Sequence, residues 1–99
     1  MLELEQVDCA SFAPCVGEVF EAVFPDGRLP LTLAEARPLG AARPGTTRAP
    51  FALTFHGAPA LRLPQRIYRL EHATLGAMEI FLVPIAADAK ASQYEAVFN

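Results

Sequence analysis

Four ionisable side chains lie within the seven residues from Arg66 to His72. Arg66, Arg69, Glu71 and His72 offer two guanidinium groups, a carboxylate and an imidazole. These residue types serve in general acid–base catalysis and in the binding of charged protein surfaces. Catalysis would also need a cleft and shifted pKa values, and the sequence indicates neither. Because apolar residues alternate with these side chains, we interpret them as the solvent face and turn of a strand pair, with protein binding as their candidate role.

Two carboxylates, Glu71 and Glu79, flank one predicted hairpin and could face each other across it. Facing carboxylates can divide the acid and base roles of an enzyme between them. Pairing of these acids with Arg66 or Arg69 is the simpler expectation, and a cross-strand ion pair contributes about 0.2–1 kcal/mol. We therefore expect ion pairs here and no catalytic residue.

Cysteine and histidine could ligate zinc or form a nucleophile–base pair, and the chain has two of each: Cys9, Cys15, His56 and His72. The spacing of the cysteines does not match CxxC, and the histidines are sixteen residues apart, so no zinc motif is formed. No GxSxG elbow and no glycine-rich phosphate-binding motif occurs. We expect no metal, no cofactor and two free, partly buried thiols. A bridge or a redox pair between the cysteines is the alternative.

Charge is distributed unevenly along the chain, whose net charge is −3. The span from Arg28 to Arg69 holds seven arginines and one acid, whereas the rest holds ten acids and one base. Either the acidic flanking strands pair with the basic middle strands, or the middle docks an acidic partner. We expect the first. Nucleic-acid binding is disfavoured because the whole chain is acidic and its aromatic residues follow the apolar side of the alternation.

Composition predicts a folded protein with apolar surface to spare. Hydrophobic residues are 53% and charged residues 19% of 99 residues, so we expect a single domain over residues 1–99 and a homo-oligomer, most simply a homodimer. The longest apolar run, residues 80–87, is far shorter than the ~20 residues that cross a bilayer. With no signal-peptide pattern at residues 1–9, we expect a cytoplasmic protein and no membrane partner.

Period-two alternation predicts six strands, preceded by one helical turn with Asp8 as its N-cap and with Phe12 and Val16 facing the core. Pro25 to Gly27 and Gly76 mark turns. The expected fold is mainly β, a small six-stranded antiparallel barrel or sandwich with one short N-terminal helical turn. The predicted strands are residues 18–24, 29–37, 51–57, 67–72, 77–85 and 94–98.

The one long loop predicted is PLGAARPGTTRAP, residues 38–50. A loop of this length in so small a domain is either functional or an insertion without a role. Its arginines, Arg43 and Arg48, are therefore candidate protein-binding residues.

Four segments resemble a family of small bacterial proteins of about a hundred residues, classed as a domain of unknown function. They are RAPFALTF (48–55), LPQRIYRLEH (63–72), LGAMEIFLVPI (75–85) and YEAVFN (94–99), and VGEVF (16–20) also fits. The resemblance covers residues 17–99 and implies no activity or catalytic residue. It implies an accessory or assembly role, because family members are encoded near phage-tail-like collar proteins. His56 stands where the family pattern has arginine.

From these patterns we predict a non-enzymatic protein–protein interaction or accessory module. The alternative is a barrel that binds a small ligand in its mouth, which would require a cavity of roughly 300 Å³ with convergent polar groups. The candidate protein-binding residues are Arg43, Arg48, Arg66, Arg69, Glu71 and His72.

Overall fold

Six strands form where apolar and polar residues alternate. In the computed structural model, which describes residues 1–42, 44–46 and 48–99, they are β1 (Val19–Phe24), β2 (Gly27–Pro38), β3 (Phe51–Gly57), β4 (Arg66–His72), β5 (Gly76–Ala87) and β6 (Ser92–Phe98). A short helix, α1 (Cys9–Phe12), lies before them between two 3₁₀ turns, Leu4–Gln6 and Ala13–Cys15. Every predicted strand is present, and its ends differ from the prediction by at most two residues.

The strands close into an antiparallel barrel in the order β1-β2-β3-β6-β5-β4, which confirms the predicted fold class. Strands from the acidic flanks pair with strands from the arginine-rich middle: β1 with β2, β6 with β3, and β5 with β4. The two kinds of charge therefore interleave on the folded surface, as the first interpretation predicts.

Inward-facing side chains fill the barrel. The Phe20 and Phe55 rings meet edge to face with centroids 5.4 Å apart, and burial of a large apolar side chain contributes about 1.5–3 kcal/mol. A barrel of six strands has an interior that side chains of this size can fill. The largest fully buried side chains are Tyr94, Phe12, Phe20, Phe51, Phe55, Leu31, Leu33, Leu53, Leu70, Met78, Ile80 and Leu82.

The barrel closes unevenly. Strands β1 and β4 share only two residue pairs, Glu21 with Glu71 and Ala22 with Leu70. The β5–β6 ladder runs from Ala87 only as far as Val83, which pairs with Glu95. Beyond that pair, towards Gly76 on β5 and Phe98 on β6, the two strands leave a gap.

The N-terminal turn begins as predicted and ends differently. Asp8 caps α1 by accepting a 3.0 Å hydrogen bond from the Ser11 amide, and Phe12 is fully buried. Val16, predicted to face the core, is 44% exposed, and Cys15 is buried in its place. The prediction for Val16 is wrong because α1 gives way to a 3₁₀ turn, whose three residues per turn place Cys15 over Phe12.

The connections follow the turn signals. Pro25 and Asp26 form a two-residue turn between Phe24 and Gly27, which pair with each other. Gly76 has φ +85°, a backbone conformation that residues with a Cβ rarely adopt.

The predicted long loop is present, and it begins after Pro38, the last residue of β2. The Leu39 amide donates to the Pro50 carbonyl at 2.9 Å and closes the base of the loop. Arg43 lies outside the residues that the structure describes. No helix in the described ranges has the length and apolar character needed to cross a bilayer.

Candidate functional site

An apolar groove lies on the outer surface of β4, β5 and β6. Ile67, Phe81 and Val97 expose 60%, 49% and 54% of their surface, and Ile67 lies opposite Phe81 in the β4–β5 ladder. All three line a surface groove of about 350 Å³, which we call the seam groove. Large apolar side chains gathered in this way mark interaction sites more often than single exposed ones do. The other lining residues are Leu4, Glu5, Arg48, Glu79, Ile80, Ala96 and Phe98.

The seam groove exists because the β5–β6 ladder stops at Val83 and Glu95. Ile80, Ala96 and Phe98, which belong to the buried side of these strands, also line the groove. The groove therefore has an apolar lining that is built from rigid strands rather than from a loop.

Residues before α1 cover one end of the groove. The Leu2 amide donates a 2.7 Å hydrogen bond to the Ala77 carbonyl on β5. The Arg48 guanidinium donates to the carbonyls of Leu4 and, at 2.6 Å, Val7, and its Nε donates to the Asn99 carbonyl at 3.1 Å. Arg48, a candidate protein-binding residue, is thus engaged in holding three segments of this chain together.

Arg48 also lies over two aromatic rings. Its guanidinium carbon is 5.5 Å from the ring centroids of both Phe51 and Phe98, and these two rings stack at 4.6 Å. A partly desolvated cation over aromatic faces is stabilising, so the position of Arg48 is fixed by packing as well as by hydrogen bonds.

The charge at the seam groove is negative. Glu79 lies opposite Arg69 in the β4–β5 register, but the Arg69 Nε bonds instead to Glu71 at 3.2 Å. Glu79 and the exposed Glu5 therefore have no ion-pair partner among the described residues, while the one cation of the groove, Arg48, is engaged with carbonyl oxygens.

Glu71 and Arg69 lie on the solvent face of β4, as expected, but their ion pairs reach further than the hairpin. The Arg28 Nη1 atom on β2 is 2.7 Å from Glu71 Oε1 and 3.8 Å from Glu21 Oε1. The hydrogen bonds from Arg28 and Arg69 hold the pKa of Glu71 below its usual value of 4.5. Arg66 is exposed and lies over the Tyr68 ring at 5.5 Å, apart from this network.

His72 is buried, whereas the sequence interpretation placed it on the solvent face. Its ring stacks on Phe20 at 4.4 Å, and its Nδ1 accepts hydrogen bonds from the amides of Thr74 and Leu75 at 3.2 and 3.1 Å. Its Nε2 is 2.7 Å from Glu18 Oε1. The correction follows from alternation, because His72 points the same way as the inward-facing Leu70 two residues earlier.

The structure brings Cys15 to the same place as His72. The Cys15 sulfur, a Glu18 carboxylate oxygen and a His72 ring nitrogen all lie within 4.8 Å of one another. A cysteine and a histidine, the residue types considered above for metal binding and nucleophilic catalysis, are therefore neighbours in the fold. Because His72 Nδ1 accepts two backbone hydrogen bonds, the neutral ring carries its proton on Nε2 and donates to Glu18. That nitrogen then has no lone pair for a metal or for deprotonating a thiol.

The Cys15 thiol is also poorly suited to be a nucleophile. Burial raises the pKa of Cys15, and the charge of Glu18 and a hydrogen bond with Glu18 raise it further. Reactive cysteines have a lowered pKa. Cys9 and Cys15 are both free thiols, as predicted.

The barrel mouth holds a second depression, of about 340 Å³, beside the connector between β3 and β4. Its hydroxyl groups are already used within the chain. Tyr94 donates to the Leu61 carbonyl at 3.1 Å and accepts from the Leu63 amide at 3.2 Å. Ser92 donates to the Ala58 carbonyl at 2.9 Å. The depression has the size expected for the ligand alternative, but both hydroxyl protons are already donated within the chain, so neither hydroxyl can donate to a ligand without breaking that bond.

The groove residue Phe81 was missed in the sequence, although a signal was present. Phe81 points the same way along β5 as Glu79, the one charged residue of that strand, and period-two alternation therefore places it outward. Alternation in β6 likewise places Val97 outward, but its position beside Phe81 and the contribution of residues 1–5 could not be found in this way, because they depend on contacts between distant segments.

Comparison with known proteins gives a family and no function. No curated protein and no solved structure matches the chain. Residues 7–98, which include α1 and all six strands, match the model of a family described as a domain of unknown function, DUF6916. This agrees with the resemblance noted in the sequence. The chain therefore belongs to the DUF6916 family of domains of unknown function.

Proposed function

We propose that the protein is a non-enzymatic binding module that contacts a protein partner through the seam groove, in an accessory or assembly role. The observation that carries this proposal is the adjacency of Ile67, Phe81 and Val97, each about half exposed or more, on rigid strands. Complete burial of such a side chain contributes about 1.5–3 kcal/mol, so a partner that covers all three has a substantial driving force. A second copy of this chain is the first partner to test, since homodimers are the commonest oligomers.

The two other functions have less support. A ligand in the barrel mouth would meet Tyr94 and Ser92, whose hydroxyl groups are already bonded within the chain. An enzyme built on Cys15 and His72 would need a reactive thiol and an imidazole lone pair facing it, whereas here burial raises the thiol pKa and the imidazole donates to Glu18.

The proposal is tested by placing a charge in the groove. Ile67→Lys puts an ammonium group beside Phe81, and Val19→Lys makes a matched change at a β-branched residue that is 50% exposed on β1. Tagged wild type and both variants are expressed at native level in the source cells, together with a differently tagged second copy, and co-purifying proteins are quantified by mass spectrometry.

We expect a stoichiometric partner, the second copy included, to be retained by wild type and Val19→Lys and lost, by about tenfold or more, with Ile67→Lys. Circular dichroism and the urea midpoint establish that both variants fold. If every stoichiometric partner is retained by Ile67→Lys, or if none is found and the chain sediments as a monomer at all concentrations, the proposal is wrong.

A further inference from the structure

The seam groove offers unpaired backbone as well as apolar side chains. The Ala77 carbonyl points away from β4, because it accepts from the Leu2 amide. Backbone groups of alternate residues point to the same side of a strand, so those of Glu79 and Phe81 also face the groove. No ladder pair joins this part of β5 to β6 within the described chain.

The opposite side of the groove has the same character. Pro84 has no N–H, so its pair with Tyr94 cannot exchange two hydrogen bonds. Because hydrogen-bonded and non-hydrogen-bonded pairs alternate along an antiparallel ladder, the hydrogen-bonded pair here is Val83 with Glu95. Val97, two residues beyond Glu95, therefore also directs its backbone groups towards the groove. An exposed strand edge of this kind is a template for another extended chain.

The chain itself already places one backbone hydrogen bond on this edge, from the Leu2 amide, just before the 3₁₀ turn Leu4–Gln6, to the Ala77 carbonyl. Residues 1–5 approach β5 with the Leu2–Ala77 hydrogen bond and lie beside Arg48 and Asn99 at the far end of the groove. The central part of the groove, between Phe81 and Val97, is left open by this segment.

Charge restricts the segment that fits. Glu79 and Glu5 line the groove without an ion-pair partner among the described residues, and Arg48 is already engaged with three carbonyl oxygens. On an incoming strand, lysine or arginine on the outer face would neutralise Glu79 and cover Phe81 with their aliphatic stems, while apolar side chains on the inner face would lie against Ile80, Ala96 and Phe98. An acidic strand would be repelled.

We propose that the seam groove binds by strand addition, and that its occupant is an extended segment of a partner protein with alternating apolar and basic residues. Backbone hydrogen bonds to Glu79 and Phe81 supply affinity, and the exposed acids select the sequence. This inference rests on the proposed function and specifies the partner's chemistry.

The test uses a fluorescein-labelled peptide, Lys-Val-Lys-Val-Thr-Val-Lys, with the full-length protein. Binding is followed by fluorescence anisotropy, and the contact surface by ¹H–¹⁵N NMR shifts. Controls are two N-methylated forms of the same peptide, one for each of its two alternating sets of amides, and a peptide with glutamate in place of lysine. Glu79→Lys is compared with Asp26→Lys, which makes the same charge change at the β1–β2 turn, outside the groove.

We expect saturable binding with the largest shifts at the amides of Glu79, Phe81 and Val97. N-methylation of the amides that face β5 weakens binding about tenfold or more, because the strand loses its backbone hydrogen bonds. Glu79→Lys weakens it at least about threefold, whereas Asp26→Lys leaves it nearly unchanged.

Equal binding of both N-methylated peptides and the parent, shifts elsewhere on the barrel, or no binding would overturn strand addition. The proposed function would still stand if a partner were lost with Ile67→Lys. In that case the partner contacts the groove with a folded surface, such as that of a second copy. Peptide binding without any Ile67-dependent partner would leave strand addition standing as a property of the groove and overturn the proposed function.

Discussion

At the scale of single residues, the two thiols differ although they lie close together in the sequence. Cys15 is 6% exposed, and its pKa is raised by burial and then by the charge and hydrogen bond of Glu18. Cys9, on α1, is only partly buried. Because the thiolate is the form that reacts with alkylating reagents, Cys15 is protected both by access and by protonation.

We predict that iodoacetamide at about pH 8 modifies Cys9 first and Cys15 at least about tenfold more slowly, as measured by peptide mass spectrometry over time. Glu18→Gln removes the carboxylate charge that raises the Cys15 pKa, so it should speed the modification of Cys15 and leave Cys9 unchanged. Modification of Cys15 before Cys9 in the folded wild type would contradict this account.

The position of His72 was open to prediction only in part. Alternation with Tyr68 and Leu70 indicates an inward side chain, and the residue type led us to expect an exposed turn instead. The two features that make burial tolerable are the Glu18 carboxylate, 54 residues away, and the two turn amides that donate to Nδ1. A buried polar group is stable when it is hydrogen-bonded, and the sequence does not show those bonds.

At the scale of elements, an ion-pair network lies across the weakest junction of the barrel. Strands β1 and β4 share two residue pairs, and Glu71, in one of these pairs, bonds to Arg28 on β2 at 2.7 Å and to Arg69 at 3.2 Å. Because Arg28 is also 3.8 Å from Glu21 on β1, the network connects β1, β2 and β4 where few backbone pairs do. Each pair is solvent-exposed, so its individual contribution is small.

The pH dependence of stability has a definite sign here. The pKa of Glu71 in the folded protein is lowered from 4.5, first by the hydrogen bonds from Arg28 and Arg69. A lowered folded pKa means that the stabilisation is present above about pH 4.5 and is lost as the pH falls through the folded value. We predict that Glu71→Gln lowers the urea midpoint at pH 7 and flattens its decline between about pH 5 and pH 3.

Glu3→Gln, an equal charge change outside the network, serves as the control and should follow the wild-type curve. Parallel curves of urea midpoint against pH for wild type and Glu71→Gln would show that ionised Glu71 does not contribute to the pH dependence, and coincident curves would show that the network is not stabilising.

The strands were predictable and their closure was not. Period-two alternation and turn residues are local, so they indicate each strand and hairpin to within two residues. The pairings of β3 with β6 and of β1 with β4 join segments far apart in the sequence. Where the ladders stop, and hence where the seam groove opens, depends on those pairings.

At the scale of the whole molecule, Arg48 connects segments that no strand pairing of the described residues joins. Its hydrogen bonds reach the carbonyls of Leu4 and Val7, which precede α1, and the carbonyl of Asn99, which follows β6. Arg48 therefore gives the long loop a structural role. It holds residues 1–7 against the barrel, next to the seam groove.

We predict that Arg48→Met lowers the free energy of unfolding by about 2–3 kcal/mol, because a charged donor to three carbonyls is lost. Arg48→Lys should recover only part of this, since an ammonium group lacks the planar fork that reaches several acceptors at once. Urea unfolding measures the stability, and hydrogen exchange of the Leu2 amide reports whether the segment detaches from Ala77. Full stability of Arg48→Met with unchanged Leu2 protection would show that residues 1–7 are held by apolar packing, with Arg48 free to serve a partner instead.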